Sequence, residues 1–199
     1  MKSVVRARLT TAQLTLRPWA LGDAPSLKAA IDENLDHLRP WVPWADREPS
    51  TLHEVIARVE RDAGRFWRNE EWLYALVERA GGSLVGGAGL YPRVGPGALE
   101  IGYWVHRDWT RRGFATEAAG VLTVEALRQD AIDRVEMHVD PRNAPSAAIP
   151  ARLGYRRVRT ERCPPRVADG PEQEIVVWGI TRSELSADLA ALHPTGLAG

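Results

Sequence analysis

The stretch 99–120 reads LEIGYWVHRDWTRRGFATEAAG, and its residue types suit the binding of an anion. Arg111 and Arg112 supply positive charge, while Gly113 and Ala115 leave the backbone nearly uncovered. From Gly113 the pattern turns helical, with Phe114, Ala118, Val121, Leu122 and Leu127 close to helical spacing. A helix start presents N–H groups that have no partner inside the helix, at the positive end of its dipole. Such an end suits a phosphate. We expect this stretch, with Arg111, Arg112, Gly113 and Ala115, to cradle a pyrophosphate. On these residues alone, an ordinary loop glycine before a helix fits equally well. The turn lacks the three glycines of the dinucleotide fingerprint, and no Gly-Lys-Ser/Thr occurs in the chain. No metal is expected. Cys163 stands alone, and His37, His53 and His138 have no partners at recognisable ligand spacing, so these histidines read as structural.

The elements that must position this turn lie on both sides of it. Residues 99–105 form an apolar, aromatic run rich in strand formers. Trp72–Glu78 and 84–90 read as two further strands, joined by the turn Ala80-Gly81-Gly82, so three strands make an antiparallel meander. Gly86, Gly87 and Gly89 predict a bend or bulge where something packs closely. Upstream, residues 12–19 alternate as a strand does, and Asp23 is placed to cap a helix running to about Asn34. Ser50 or Thr51 caps a helix ending near Asn69, with Glu54 three residues after Thr51 as in a capping box and Leu52, Val55, Ile56 and Val59 as the apolar stripe. Between them, Pro40, Pro43 and Pro49 forbid a long regular helix. Downstream come a helix over 114–129, a strand over 134–140 and a short helix over 143–153. A strand over 155–162, a loop over 163–173 and a last strand over 174–181 follow. This order predicts an α+β fold with a largely antiparallel sheet and helices on both faces.

Length favours one domain spanning 1–199, with its core over about 12–181 and a loose tail over 182–199. Charge is balanced, 26 basic against 26 acidic residues, so no global field draws the chain to nucleic acid or a membrane. No apolar run approaches the roughly 20 residues of a membrane span. No secretory signal follows the basic N-terminus, so a cytoplasmic protein is expected. The lone cysteine excludes an intrachain disulfide. Of eight Trp, Trp41 and Trp44 sit together in LRPWVPWA.

Thr110-Arg111-Arg112-Gly113-Phe114-Ala115 is similar to the Arg/Gln-x-x-Gly-x-Gly/Ala signature of the GNAT superfamily of acetyl-CoA-dependent N-acetyltransferases, departing from it at Thr110. HLRPWVPWA at 37–45, LEIGYWV at 99–105 and DPRNAPSAAIPARLGYRR at 140–157 resemble the RimJ/RimL-type branch, the ribosomal-protein N-terminal acetyltransferases. The resemblance covers residues 14 to 181. It implies the GNAT fold: a mixed, mostly antiparallel sheet of about seven strands, splayed between the fourth and fifth.

The resemblance also implies roles. The backbone of Tyr103, Trp104 and Val105 would pair with the pantetheine arm of acetyl-CoA at the splay, residues 111–116 would hold its pyrophosphate, and Asn143 would hydrogen-bond pantetheine. Read without the resemblance, Asn143 is a helix N-cap. Acetyl transfer needs a neutral amine, a donor to the oxyanion and a proton for the departing thiolate. Many relatives use a Tyr four residues after the motif's Ser as that acid. Here Pro150 occupies the position, which leaves Ser146, and Pro150 predicts a kink or a distorted first turn in the helix. Glu100, on the central strand beside the splay, is the first choice of base; Glu70, Glu71, His106, Asp46 or a water chain are alternatives. Trp41 and Trp44 are expected in the acceptor wall, or else in the interface of a homodimer. The acceptor is read as a protein N-terminal amine. A small-molecule amine, or a CoA-binding protein without catalysis, remains the alternative.

Overall fold

The computed structural model describes residues 5–165 and 172–192. Its strands are β1 (Leu9–Thr10), β2 (Leu14–Pro18), β3 (Trp72–Glu78), β4 (Leu84–Tyr91), β5 (Ala98–Val105), β6 (Arg134–Val139), β7 (Arg156–Cys163) and β8 (Gln173–Thr181). They form one sheet in the order β1-β2-β3-β4-β5-β6-β8-β7. The helices are α1 (Ala24–Asp32), α2 (Leu35–Leu38), α3 (Leu52–Trp67), α4 (Phe114–Leu127), α5 (Ala144–Arg152) and α6 (Ala187–Ala190). The sheet has one strand more than the seven expected, because Leu9 and Thr10 pair with Leu16 and Thr15 as a short extra edge.

Alternation along the strands sends side chains to two cores. Leu16, Tyr74, Leu76, Leu90, Leu99, Ile101, Val135 and Met137 pack with α4, and with Ile149 of α5 and Leu189 of α6. Trp19 and Ala75 pack on the opposite side against Leu27 and Ile31 of α1 and Val55 and Val59 of α3. Each fully buried leucine contributes about 2 kcal/mol relative to exposure. The capping box of α3 is formed, with Thr51 N–H donating to Glu54 Oε2 at 2.7 Å and Glu54 N–H to Thr51 Oγ1 at 3.3 Å. Asp23 precedes α1 without capping it. Its carboxylate is taken by Arg17 at 2.6 and 2.7 Å and by the Ala20 N–H at 2.8 Å.

One short parallel contact positions the site. β5 pairs with β6 only at Ala98↔Arg134, Leu99↔Val135 and Glu100↔Glu136. Beyond Glu100, β5 stays with β4 as far as Val105↔Gly86, while β6 stays with β8 as far as Val139↔Val176. The sheet therefore splits there. Counting the extra β1, the diverging strands are the fifth and sixth. The β4 glycines serve this region: a Cβ at Gly86 would fall 2.2 Å from the Trp104 carbonyl oxygen, and one at Gly87 2.7 Å from the Trp104 indole nitrogen. A register shift between Leu76 and Val77 is the bulge the glycines predict.

The loose tail expected from 182 onward is corrected as far as Leu192. Arg182–Glu184 make a 3-10 turn, and α6 buries Leu189 against Gly120 of α4, where the missing side chain leaves room. Residues 193–199 of that tail, and 166–171 of the loop expected over 163–173, lie outside the described residues. No helix among the described residues is long and apolar enough to cross a membrane.

Candidate active site

Where β5 parts from β6, the main-chain groups of Tyr103, Trp104 and Val105 that face β6 have no strand to pair with among the described residues. A cleft of roughly 890 Å³ opens at this gap and spreads over the face that carries α1 and α3. Tyr103 and Trp104 line it from β5, Met137 and His138 from β6, and Asn143 and Ser146 from the start of α5. Val105 and residues 111–116 do not line it. They lie past the C-terminal end of β5, where the chain turns into α4.

That turn has the geometry of a backbone cradle. Arg111 and Gly113 sit at φ 60° and 85°, in the left-handed region. Glycine adopts it freely, whereas for arginine it costs on the order of 1 kcal/mol. The first bond of the helical ladder runs from the Glu117 N–H to the Gly113 carbonyl at 2.9 Å. The amides of Phe114, Ala115 and Thr116 thus stand outside the ladder. Thr110, the position that departs from the signature, turns its hydroxyl inward and donates to the Arg107 carbonyl at 2.7 Å. Arg112 stacks 4.5 Å over the Trp109 ring.

At α5, Asn143 Oδ1 accepts from the Ser146 N–H at 3.2 Å, so Asn143 is the helix cap, and it lines the cleft from there. Pro150 does not break α5, and the distorted first turn expected from it is absent: Ala147 N–H also bonds the Asn143 carbonyl at 2.8 Å. Proline removes the N–H that would have bonded the Ser146 carbonyl. The Tyr103 hydroxyl approaches that carbonyl at 3.4 Å and lies 3.0 Å from Ser146 Oγ. Burial pushes the Tyr103 phenol up to about 12, against a smaller opposing effect of the Ser146 hydrogen bond. Tyr103 therefore stays protonated at neutral pH, beside the hydroxyl expected to act as acid. The family resemblance implies a role for the Tyr103 backbone alone; strand alternation with Leu99 and Ile101 places its ring on the α5 side.

The other end of the cleft is built from side chains. Trp41 and Trp44 both line it, as expected. Trp44 meets Trp104 edge-to-face at 6.0 Å, and Arg58 sits 5.8 Å over the Trp44 ring. The segment carrying these tryptophans is fastened to α3 by Glu48, whose carboxylate is buried against Arg58 and the Ser50 N–H. Burial alone would raise the Glu48 carboxyl, but hydrogen bonds from Arg58 and Ser50 outweigh it and hold it below the usual carboxylate range.

Glu100 lines the cleft too, only 8 % exposed, with both oxygens held by Arg93 at 2.7 and 2.6 Å. A base would have to break that bidentate pair, so the geometry favours an anchoring carboxylate over the base expected there. Among the alternatives, Glu71 is paired with Arg65 at 2.8 Å and Glu70 with Arg68 at the surface. His106 accepts from the Asp108 N–H at 3.2 Å and caps the turn ahead of the cradle. Two further groups, Arg93 and Asp62, go unmarked in the sequence, and a third, His138, reads there as structural. Arg93 lies 4.4 Å over the Tyr91 ring, which fits against Gly89 and Gly102. Asp62 projects into the cleft, where burial raises its carboxyl despite Arg61 at 3.1 Å. His138, read as structural, lies in the cleft wall, its Nε2 2.8 Å from Glu136 Oε2. No pattern along the chain marks these residues, because they meet from separate elements. Among the described residues, no group of His, Cys, Asp or Glu could hold a metal ion.

Comparison with known proteins gives the family and the fold. The family model described as the acetyltransferase (GNAT) domain matches residues 13–156. YdaF of Bacillus subtilis strain 168, described as a candidate ribosomal N-acetyltransferase, is 29% identical over 147 residues, 71% of this chain and 77% of that protein. The microcin C7 self-immunity acetyltransferase MccE, solved with acetyl-CoA and AMP, superimposes with a TM-score of 0.79 at 16% identity. That match covers 90% of this chain and 98% of MccE. RimL, the ribosomal L7/L12 alpha-N-protein acetyltransferase solved with coenzyme A, gives 0.78 at 16% identity, covering 87% of this chain and 97% of RimL.

Proposed function

The chain belongs to the GNAT acetyltransferase family, which takes its acetyl group from acetyl-CoA, and we propose that this member delivers it to the α-amine of a protein N-terminus by direct attack in a ternary complex. The observation that carries the reading is the split after Glu100↔Glu136, with unpaired amides waiting at both ends of one path. In this reading pantetheine pairs with the backbone of Tyr103, Trp104 and Val105 as a pseudo-strand. Its pyrophosphate takes the amides and charge of Arg111, Arg112, Gly113, Phe114, Ala115 and Thr116. Asn143 Nδ2 donates to the arm. Ser146 gives a proton to the departing thiolate, with the Tyr103 hydroxyl behind it at 3.0 Å to replace that proton.

The acceptor enters over Trp41 and Trp44. Glu100, anchored by Arg93, and Asp62 supply negative charge for an incoming ammonium group. An α-amine, with a pKa of about 8, yields its proton more easily than a lysine side chain at about 10.4. The ribosomal acceptor named for RimL points the same way. A small aromatic amine is the second reading, favoured by the flat Trp44–Trp104 pair with Arg58 above it. The proposal carries a cytoplasmic location. It also carries a homodimer in which Trp41, 36 % exposed, is the first residue to test by light scattering of Trp41→Ala.

The test is to incubate the protein with acetyl-CoA and a panel of N-terminal peptides, lysine peptides and small amines, and to follow added acetyl mass and released thiol. Acetylated α-amines support the proposal. Acetylation confined to small amines moves it to the second reading, and acetyl-CoA binding without transfer to any amine leaves only a CoA-binding protein.

A further inference from the structure

The base is the one chemical role that no expected residue fills well. We infer that His138, oriented by Glu136, is the proton acceptor for the attacking amine; this rests on the acetyl-transfer reading above and adds a residue to it.

The argument is one of place and of hydrogen bonding. In the parallel pair, Glu100 stands opposite Glu136 at the last rung before the strands part. Two residues further along β6, on the same face and about 7 Å on, comes His138, level with Gly102 on β5. Gly102 has no side chain, and the Tyr91 ring packs over it on this face, 3.2 Å from where a Cβ would lie. A pantetheine arm that starts at residues 111–116 and runs back along Val105, Trp104 and Tyr103 brings its acyl end towards this narrow end of the split. His138 therefore flanks the thioester from the side on which α3, Trp44 and the acceptor lie.

Glu136 decides which nitrogen is available. It is 1% exposed, with Arg134 at 2.7 Å, Arg159 at 3.4 Å and His138 at 2.8 Å around its carboxylate. Burial alone would raise this carboxyl, but hydrogen bonds from His138, Arg159 and Arg134 outweigh it and keep it below the usual range. An ionised carboxylate only accepts, so His138 Nε2 carries the proton and donates. Nδ1 is then the nitrogen with a free lone pair for the cleft. A buried carboxylate that fixes a histidine's tautomer while its other nitrogen takes a proton is the logic of a catalytic triad. The other charged groups facing His138 are Asp140 just past the end of β6, Arg159 and Glu161 on β7, and Glu100 with Arg93 across the split.

The step balances. The ammonium gives one proton to His138 Nδ1 and becomes a neutral amine. The nitrogen bonds the acetyl carbon, the carbon–sulfur bond breaks, and the thiolate takes a proton from Ser146. The second proton leaves the new amide nitrogen and restores Ser146 by way of Tyr103. The products are the amide, the thiol of CoA and one proton passed from His138 to solvent.

His138→Gln keeps a donor towards Glu136 and removes the base. It should lower kcat about 10²-fold at neutral pH, with the acetyl-CoA dissociation constant within twofold of wild type. The deficit should shrink as pH rises past the acceptor amine's own pKa, where neutral amine no longer needs a base, and added imidazole should restore part of the rate. A purely structural role would show neither the pH-dependent recovery nor the rescue. Glu136→Gln should lower the rate less, about 10-fold, and be rescued less by imidazole. Activity of His138→Gln within threefold of wild type, or an equal deficit at every pH, overturns the inference. So does finding the pH-dependent deficit in Glu100→Gln and not in His138→Gln. Failure of wild-type protein to acetylate any amine would instead overturn the acetyl-transfer reading.

Discussion

Around residues 103–116, the groups offered to a ligand are main-chain N–H and C=O on one strand end and one helix start. Around Trp44, Asp62, Glu100 and His138 they are side chains from four places far apart in sequence, most of them tied into ion pairs or hydrogen bonds. Backbone recognition needs only a strand that loses its neighbour and a helix that opens with small residues, so it suits a ligand common to a whole family. Side-chain recognition can be changed one residue at a time without disturbing the sheet. Under the proposed function the difference teaches where specificity resides: the fold would hold the donor and the side chains set upon it the acceptor.

Gly113→Val attacks the backbone half most directly. The protein itself leaves room, since the nearest atom to an added Cβ is Gln13 Nε2 at 4.0 Å, but φ of 85° strains any branched side chain. We expect acetyl-CoA to bind at least 10²-fold more weakly by calorimetry, with the acceptor KM little changed. Equal affinity would place the pyrophosphate elsewhere. At the junction of the halves, Ser146→Ala should lower kcat by about 10² with acetyl-CoA affinity retained, and Tyr103→Phe by about 10-fold. If Tyr103→Phe matches wild type in steady-state kinetics, its contact with Ser146 is only structural.

Trp44→Ala sharpens the contrast from the acceptor side. It should raise the acceptor KM about 10-fold, roughly 1.4 kcal/mol, and leave acetyl-CoA binding alone. A matching loss of acetyl-CoA affinity would merge the two halves. Asp62→Asn is the smallest effect. Because burial raises this carboxyl above its unfolded value, its ionised form costs stability at neutral pH, and the cost fades as pH falls towards the usual range. The variant should be more stable by up to about 1 kcal/mol at pH 7 and indistinguishable from wild type near pH 3, by urea unfolding. The paired carboxylates behave oppositely. Glu48 and Glu136 lie below their ordinary values, so their contributions are present above about pH 4.5 and lost as pH falls.

The same contrast explains what could be read in the chain. Strand alternation, the Thr51–Glu54 box and the glycines of β4 are local signals, and each appears where expected. The Gly113 turn is local as well, and the split of the sheet follows from the resemblance. Glu48 with Arg58, Tyr103 with Ser146, and His138 with Glu136 inside the cleft are meetings set by tertiary packing. Asp23 shows the limit even over short range, because Arg17 across the strand end outcompetes the helix it was placed to cap. The tail differs from its expectation for a related reason: its small and polar composition gives no sign that Leu189 and Leu192 find a seat at Gly120 of α4.

The central claim is that main-chain groups of β5 and the α4 start hold the donor while the tryptophan wall does not. Backbone hydrogen exchange of the whole chain, with and without acetyl-CoA, tests it most directly. The account predicts slowed exchange at residues 103–105 and 111–116 on adding acetyl-CoA, with 41–47 unchanged until an acceptor is added. Unchanged exchange at 111–116, or protection confined to 41–47, would contradict it.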